Sequence, residues 1–384
     1  MLEQARERTG RFRGSLSARA LPVAVIAEES SIAYLAGVWG YLGMEFGRPS
    51  FLVVHADRPP MLVVPLMERE MVSAMTWVED VRTWEDAGPN TWTRVLAEAL
   101  GHPPPARIGV EEAALPWAVR AQLERALEGV VLEDVAPELA AMRVVKSPVE
   151  LEAMRQAGAV AAAMMDAALD AIRARVPEYE VALAAVGAGT RKAAQFLSAE
   201  GWEGFVSPVV HALPILQSGR HTAMVHRRAS VKAIASGDPV YLCFCNMAEF
   251  KHYRIGFDRQ FFVGRAGDEA LQAWRTAVAA QGAALAAIRP GVSAEDVANA
   301  ANEVYRSAGF APGYRTGRSI GLAHLEGPEL RPGDRTVLRA GMTFAVDGGV
   351  TIPGLAGGRV GDSIVVTETG FDFLTVYPRD LVVL

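Results

Sequence analysis

Cysteine is scarce in this chain of 384 residues, which contains only Cys243 and Cys245. Such near neighbours on a strand point to the same face and do not bridge readily. We therefore expect reduced thiols and, as the compartment, the cytoplasm. A zinc site formed by this pair with His252 is a weaker alternative, because an isolated CxC with one distant His is a nonspecific signal.

An excess of basic residues is missing as well: the formal net charge is -6 and the pI is about 5.8. Nucleic acids and anionic membranes attract a concentrated basic face, so we expect neither as a partner. No apolar run reaches the roughly 18 residues that a membrane span requires, and the arginine-rich start lacks the apolar segment of a secretory signal. The 51% of hydrophobic residues instead predicts a large core and two or three domains.

Two patterns of apolar residues divide the chain near residue 142. From Leu21 to about Ala141, the short apolar runs PVAVIA, FLVVHA, MLVVPL and RIGVEE alternate with helical patterns such as TWTRVLAEALG. This alternation predicts a compact α/β domain over residues 1–142.

The remainder, residues 143–384, begins with a helix signal. Ser147 and Glu150 have the spacing of a capping box and precede a long amphipathic stretch. After Val176, Gly and Pro separate the strand candidates PVYLCFCNMAEF, RQFFVG, MTFAVDGGVTI and DSIVVTET. This pattern predicts an α+β domain with a mainly antiparallel sheet.

Three stretches carry a resemblance to a known family. They are GDPVYLCFCNMAEFKHYRIGFDRQFFVG from Gly237, YRTGRSIGLAHLEGPEL from Tyr314, and LRAGMTFAVDGGV followed by GGRVGDSIVVTETG from Leu338. They resemble the C-terminal domain of the pita-bread family of methionine aminopeptidases, prolidases, aminopeptidase P and creatinase. The resemblance covers nearly the whole chain from about Leu21. It implies a creatinase/prolidase-type N-terminal domain and a pita-bread catalytic domain with a curved sheet.

The resemblance also shows which positions of this chain correspond to the metal ligands of the family. Metallopeptidases of this family hold two divalent ions with two Asp, one His and two Glu. The corresponding positions here are Cys243, Gly256, Arg318, Asp347 and Gly361. Only one of them is a carboxylate, and Arg318 places a permanent positive charge where a dication would sit. We therefore expect no metal and no other cofactor.

Four further strings resemble creatinase, the branch of the family that works without metal. They are EFGRPSFLVV from Glu45, VPEYEVAL from Val176, QSG from Gln217 followed by His226, and YRT from Tyr314. The resemblance implies that His226 is the catalytic histidine and that Asp258 and Asp347 replace two guanidinium-binding glutamates. It assigns the substrate's carboxylate end to Phe46, Arg48 and Arg315, and it implies a homodimer in which Arg48 reaches across the interface. We add Tyr253 and Arg318 as further substrate contacts.

These residues predict a small zwitterionic substrate. Two carboxylates can hold a planar amidinium or guanidinium, while two arginines clamp a carboxylate at the other end. His226 would take a proton from water and return it to the departing nitrogen. Both creatinase glutamates are shorter aspartates here, so creatine itself is not the expected substrate.

Structural roles compete with each of these assignments. His226 could be a loop histidine, and Asp258 and Asp347 could form ion pairs with Arg259 and Arg318. The arginines Arg48 and Arg315 could be solvated, and Phe46 could be a packed aromatic residue.

The leading functional hypothesis is hydrolysis of a non-peptide C–N bond in an amidino, guanidino or cyclic-amidine carboxylate. The alternatives are a lyase acting on an onium carboxylate and a non-catalytic ligand-binding protein. A metal-dependent Xaa-Pro peptidase ranks last.

Overall fold

The computed structural model describes residues 2–38, 47–173, 175–201, 206–210, 215–244, 249–323 and 325–384. The chain splits into two compact units, Met1–Met142 and Arg143–Leu384.

The N-terminal unit combines a mixed sheet with helices. Its strands are β1 (Val23–Ile26), β2 (Phe51–His55), β3 (Met61–Pro65), β4 (Asp80–Trp84), β5 (Arg107–Val110) and β6 (Val131–Asp134). Its helices are α1 (Leu2–Ala18), α2 (Glu29–Ala36), α3 (Arg69–Met75), α4 (Trp92–Leu100), α5 (Trp117–Ala126) and α6 (Ala136–Arg143), of which the last extends one residue past the unit boundary. In the described residues the strand order is β4-β3-β2-β1-β5-β6.

The apolar runs of this unit form the middle of the sheet. Every residue of β1, β2 and β3 is buried, as expected of strands that are covered on both faces. Helix α4 packs on the sheet through Trp92, Val95, Leu96 and Ala99, whose spacing of three and four residues gives one apolar face. The predicted α/β domain is confirmed.

The C-terminal unit is built on long helices and one large sheet. Its helices are α7 (Pro148–Ala171), α8 (Glu178–Glu200), α9 (Asp268–Ala287) and α10 (Ala294–Ser307). Its strands are β7 (Ile215–Ser218), β8 (Pro239–Cys243), β9 (Glu249–Phe250), β10 (Tyr253–Arg254), β11 (Asp258–Phe262), β12 (Gly317–Ser319), β13 (Glu326–Leu330), β14 (Thr343–Ile352), β15 (Ala356–Val366) and β16 (Phe371–Phe373).

The sheet of this unit runs in the order β13-β12-β14-β15-β11-β8-β7, with β16 also paired to β15. Each of these pairings is antiparallel. The predicted α+β domain with an antiparallel sheet is therefore confirmed. The predicted capping box is also present, because Ser147 accepts a hydrogen bond from the Glu150 amide and Glu150 accepts one from the Ser147 amide.

Strand β15 begins earlier than the string DSIVVTET predicted, since the glycine-rich stretch before it is also extended. Glycine in a strand often marks a close backbone approach. A Cβ atom on Gly348 would overlap the Ala277 carbonyl of α9, and one on Gly358 would overlap the Ala273 main chain. One face of β14 and β15 therefore lies directly against α9, and the opposite face is available for a site.

Candidate functional site

The face of β14 and β15 that points away from α9 borders a cavity of about 510 Å³. Alternate residues of a strand share a face, so every second residue of each strand faces this space. The register pairs Asp347 with Gly361, Gly349 with Arg359, and Thr351 with Gly357. His226, Asp258, Arg315 and Arg318 also border the cavity, which brings five of the eight predicted site residues together.

Asp258 takes space that the glycine at position 361 leaves open. On β11 it lies opposite both Cys243 and Gly361. A Cβ atom on Gly361 would overlap Asp258 Oδ1 and would lie 2.8 Å from Asp347 Oδ1. The Oδ1 atoms of the two carboxylates therefore lie close together beside Gly361. The other oxygen of Asp258 accepts a hydrogen bond of 2.9 Å from the Tyr241 hydroxyl.

Arg318 forms an ion pair with Asp347, with 2.5 Å between Nη1 and Oδ2. Arg318 is buried and the Asp347 side chain is 34% exposed. Among the described residues, no donor reaches the buried Oδ1 atom of Asp347. Of the two roles expected for Arg318, the structure thus contains the pairing with Asp347, and the Oδ1 atom of Asp347 stays buried beside the cavity.

The competing ion pair between Asp258 and Arg259 is not formed by their side chains. Arg259 pairs instead with the carboxylate of Asp362 at 2.7 Å and donates to the main-chain oxygens of Asp258 and Gly361. This buried arginine therefore ties β11 to β15 directly behind the two carboxylates.

His226 lies in the turn that follows a short 3-10 helix, Gly219–Ala223, and it is exposed toward the cavity. The fully buried side chain of Gln217 donates Nε2 hydrogen bonds of 3.0 Å to the carbonyl oxygens of Val225 and Arg227. These carbonyls stand on either side of His226, so one amide group holds the main chain on both sides of it.

Glu178 supports the same loop from the start of α8. Its carboxylate is fully buried and accepts hydrogen bonds from Ser218, Arg227 and Ser230. Burial alone would raise the pKa of Glu178, but the hydrogen bonds from Ser230, Ser218 and Arg227 outweigh it and hold that pKa below its usual value. Glu178 of the segment VPEYEVAL and Gln217 of the segment QSG thus both hold the loop that carries His226.

Arg315 borders the cavity but already has a carboxylate partner. Its Nη1 atom lies 2.6 Å from Glu329 Oε1, and its guanidinium stacks on Tyr314 at 5.0 Å from the ring centroid. It is not a solvated arginine, and any clamp on a substrate carboxylate would have to compete with Glu329.

Tyr253, which the sequence predicted to contact the substrate, lies in the core instead. Its side chain is fully buried, its hydroxyl donates to Glu150 Oε1 at 3.0 Å, and it does not border the cavity. Strand β10 pairs with β9 in a separate two-stranded sheet and turns this side chain toward α7. Tyr253 therefore contributes to the core and not to the site.

The remaining predicted contacts belong to the N-terminal unit. Arg48 forms an ion pair of 2.6 Å with Asp86, and both side chains are partly exposed. Phe46 lies outside the described residues, as does Cys245 of the CxC pair.

Three residues that the sequence did not predict also border the cavity: Tyr241, Tyr305 and Arg359. The signal for Arg359 was its spacing, since it precedes Gly361 by two residues and so shares its face of β15. Tyr241 has the same relationship to Cys243 on β8. These residues could not be predicted, because the alternation of side chains along a strand shows which residues share a face but not which face borders the site.

The positions that hold metal in the family do not fit metal in this chain. Gly256 and Gly361 offer no side chain, and Arg318 brings a cation that is paired with Asp347. No group of three or more His, Cys, Asp or Glu among the described residues is arranged to hold a metal ion. Hard cations need several oxygen or imidazole donors, which these residues do not assemble.

Comparison with known proteins agrees with this architecture. The model of the Creatinase/Prolidase N-terminal domain matches residues 8–145, and that of Metallopeptidase family M24 matches residues 152–368. A prolidase structure from Pyrococcus horikoshii superposes with a TM-score of 0.83 at 23% identity, covering 98% of this chain and 100% of that one. That similarity shows the fold alone. Among the described residues, no helix is long and apolar enough to cross a membrane.

Curated proteins that are similar to this chain are named for different activities. The chain is 32% identical to the agropine synthesis cyclase of Rhizobium rhizogenes, covering 91% of this chain and 89% of the cyclase. It is 32% identical to the probable dipeptidase PepE of Mycobacterium tuberculosis, covering 97% and 98%. It is 31% identical to the creatinase of a Bacillus species, covering 71% and 67%. The chain therefore belongs to metallopeptidase family M24, as a creatinase-like member with the creatinase/prolidase type of N-terminal domain.

Proposed function

We propose that the chain is a metal-independent enzyme that hydrolyses a C–N bond in a small zwitterion with an amidino or guanidino group. The observation that carries this proposal is the close approach of Asp258 Oδ1 and Asp347 Oδ1 beside Gly361. Two carboxylates so close together repel each other unless a proton or a cation lies between them. A planar amidinium supplies both the charge and the N–H donors that two such oxygens accept.

The support for metal independence comes from residue chemistry. The space that a second glutamate ligand would fill contains the Asp258 side chain, and Arg318 compensates Asp347 from the other side. A planar organic cation needs only hydrogen-bond acceptors along two of its edges, whereas a divalent metal ion needs several coordinating ligand atoms around it. Both acids are aspartates, one methylene shorter than glutamates, so creatine is not the expected substrate.

In this proposal His226 moves the proton. Water adds to the central carbon of the amidinium while His226 takes a proton from it. The C–N bond then breaks, His226 returns that proton to the departing nitrogen, and the products are an amine and an amide or urea. Asp258 and Asp347 stabilise the cationic character of the carbon and its nitrogens throughout.

A second candidate is ring closure within such a substrate, which the nearly full-length similarity to the agropine synthesis cyclase favours. The same histidine would then remove a proton from a nucleophile of the substrate instead of from water. Elimination by a lyase and binding without turnover are further outcomes that the same experiment distinguishes.

The test is incubation with guanidino, amidino and onium carboxylates in heavy-oxygen water, with products identified by mass spectrometry. Hydrolysis places the heavy oxygen in an amide or urea carbonyl, whereas ring closure or elimination does not. His226→Ala should abolish turnover while leaving ligand binding intact, and His102→Ala, at an exposed histidine of the N-terminal unit, serves as the control. Undiminished turnover in His226→Ala would refute the proposed base.

We also propose a homodimer in which Arg48 reaches the partner's site, as the resemblance of the FGRP string to creatinase implies. Mixing inactive Arg48→Ala and His226→Ala proteins should restore roughly a quarter of the activity by random subunit exchange. Absence of complementation after demonstrated exchange would show that Arg48 does not act across an interface. The cytoplasmic location stays a prediction.

A further inference from the structure

Arg359 is a buried cation in the wall of the cavity. It is only 7% exposed, it borders the cavity, and its guanidinium lies over the Tyr241 ring at 5.5 Å from the centroid. The glycine at position 357 makes this placement possible, because a Cβ atom there would overlap Arg359 Nη1. The local sequence thus keeps room for the guanidinium beside the cavity.

The acceptors around Arg359 are neutral. Its Nη1 atom donates to the Thr222 carbonyl at 2.7 Å, and its Nη2 atom donates to Thr351 Oγ1 at 2.6 Å. In the part of the chain that the structure describes, no carboxylate forms an ion pair with it, whereas Arg315 and Arg318 pair with Glu329 and Asp347. A buried guanidinium without an anion has lost hydration that neutral acceptors only partly replace.

We infer that Arg359 binds the carboxylate of the substrate, an inference that rests on the proposed function and deepens it. Arg359 and Gly361 occupy the same face of β15, two residues and so roughly 7 Å apart. The anion site at Arg359 and the cation site around Gly361 are therefore neighbours on one surface. Tyr241 joins them, because it contacts the Arg359 guanidinium and donates to Asp258. The ligand class is an ω-amidino or ω-guanidino carboxylate with a short chain between its charges.

The inference is tested by calorimetric binding of 4-guanidinobutanoate and of its uncharged amide, 4-guanidinobutanamide. Wild-type protein should bind the carboxylate about tenfold more tightly or better, as expected for a charge-assisted contact to a buried arginine. Arg359→Met should remove this preference. Arg335→Met, at an 86% exposed arginine outside the cavity, should retain it.

Two further variants keep the test decisive. Thr351→Val removes a neutral acceptor that competes for Arg359 Nη2 and leaves the charge in place, so it should strengthen the preference and keeps the inference testable even if Arg359→Met fails to fold. Arg315→Met should keep the preference if Arg359 is the anion site. Loss in Arg315→Met with retention in Arg359→Met, or no preference in the wild type, would overturn the inference. Tight carboxylate binding without any reaction product would instead count against the proposed function alone.

Discussion

Asp258 and Gly361 lie opposite each other on neighbouring strands, and the aspartate carboxylate occupies the space that a side chain at position 361 would require. The two residues are therefore physically coupled. The position that holds a metal-binding glutamate in the family became a glycine here, and a carboxylate from β11 fills the volume.

This coupling predicts a steric penalty for Gly361→Ala. Because the new methyl group would overlap Asp258 Oδ1, we expect a loss of roughly 1–3 kcal/mol in the free energy of unfolding, as is usual for overpacking, together with loss of turnover. Asp258→Ala in the same chain should recover much of the stability but not the activity. Denaturant unfolding of the single and double variants measures the coupling.

The control is Gly370→Ala, since nothing lies within 4 Å of a Cβ atom at that glycine. Strictly additive effects of Gly361→Ala and Asp258→Ala would contradict the described packing.

A second prediction concerns Gln217 as a positioning residue. Gln217→Met preserves the volume of the side chain but removes the donor that bridges the carbonyls on both sides of His226. We expect kcat to fall strongly and KM to change little, because substrate contacts remain while the base is displaced. The unfolding free energy should fall by about 1–3 kcal/mol from two unsatisfied carbonyls.

Steady-state kinetics with Gln122→Met, at an exposed glutamine of α5, as the control distinguishes this role from a general loss of stability. A variant with lower stability but unchanged kcat would assign Gln217 a purely structural role.

The pattern of the sequence predicted much of the fold and part of the site. The buried runs FLVVHA and MLVVPL gave strands because apolar β-branched residues identify them locally, and Ser147 with Glu150 gave a helix start for the same reason. Asp347 could be placed because it follows the apolar run MTFAV, although the strand itself continues through it to Ile352. The approach of Asp258 to position 361 could not, since it depends on the register between strands that are distant in sequence.

Two other outcomes have related causes. The sequence predicted Arg318 either as a substrate contact or as the ion-pair partner of Asp347, because residue types alone do not fix a contact between strands. Tyr253 was misassigned because a two-residue strand gives no alternation from which its buried face could be inferred.

A third prediction follows from Glu178, whose hydrogen bonds lower its pKa in the folded state. A carboxylate with a lowered folded pKa adds stability above its ordinary titration range, and this contribution is lost as pH falls through the folded pKa. The loss of stability in Glu178→Gln should therefore be largest near neutral pH and shrink on acidification. Urea unfolding of both proteins across the acidic range measures it, and a difference that is independent of pH would contradict the assignment.

A fourth prediction concerns His55 in β2 of the N-terminal unit. Burial, with a smaller effect from Arg58, lowers the pKa of His55 to about 4. The neutral imidazole is thus the form present in the folded protein. Its contribution to the free energy of unfolding is complete above the unfolded pKa of about 6.5 and declines as the pH falls toward 4. The decline amounts to about 3 kcal/mol. Hydrogen exchange at β1 and β2 amides, corrected for the intrinsic rate, reports it.

His55→Leu should abolish that pH dependence, whereas His102→Gln, at an exposed histidine of the same unit, should not. An equal pH dependence in the wild type and in His55→Leu would show that another group is responsible.

We propose that this creatinase-like member of the family catalyses its reaction without metal, using His226 beside Asp258 and Asp347. The most direct test measures bound metal by mass spectrometry and kcat/KM on the same chelator-treated sample, with the best substrate from the panel. We expect substoichiometric metal and unchanged kcat/KM, with no gain when Mn²⁺, Co²⁺ or Zn²⁺ is added. Loss of activity on chelation and recovery on adding one of these ions would contradict it.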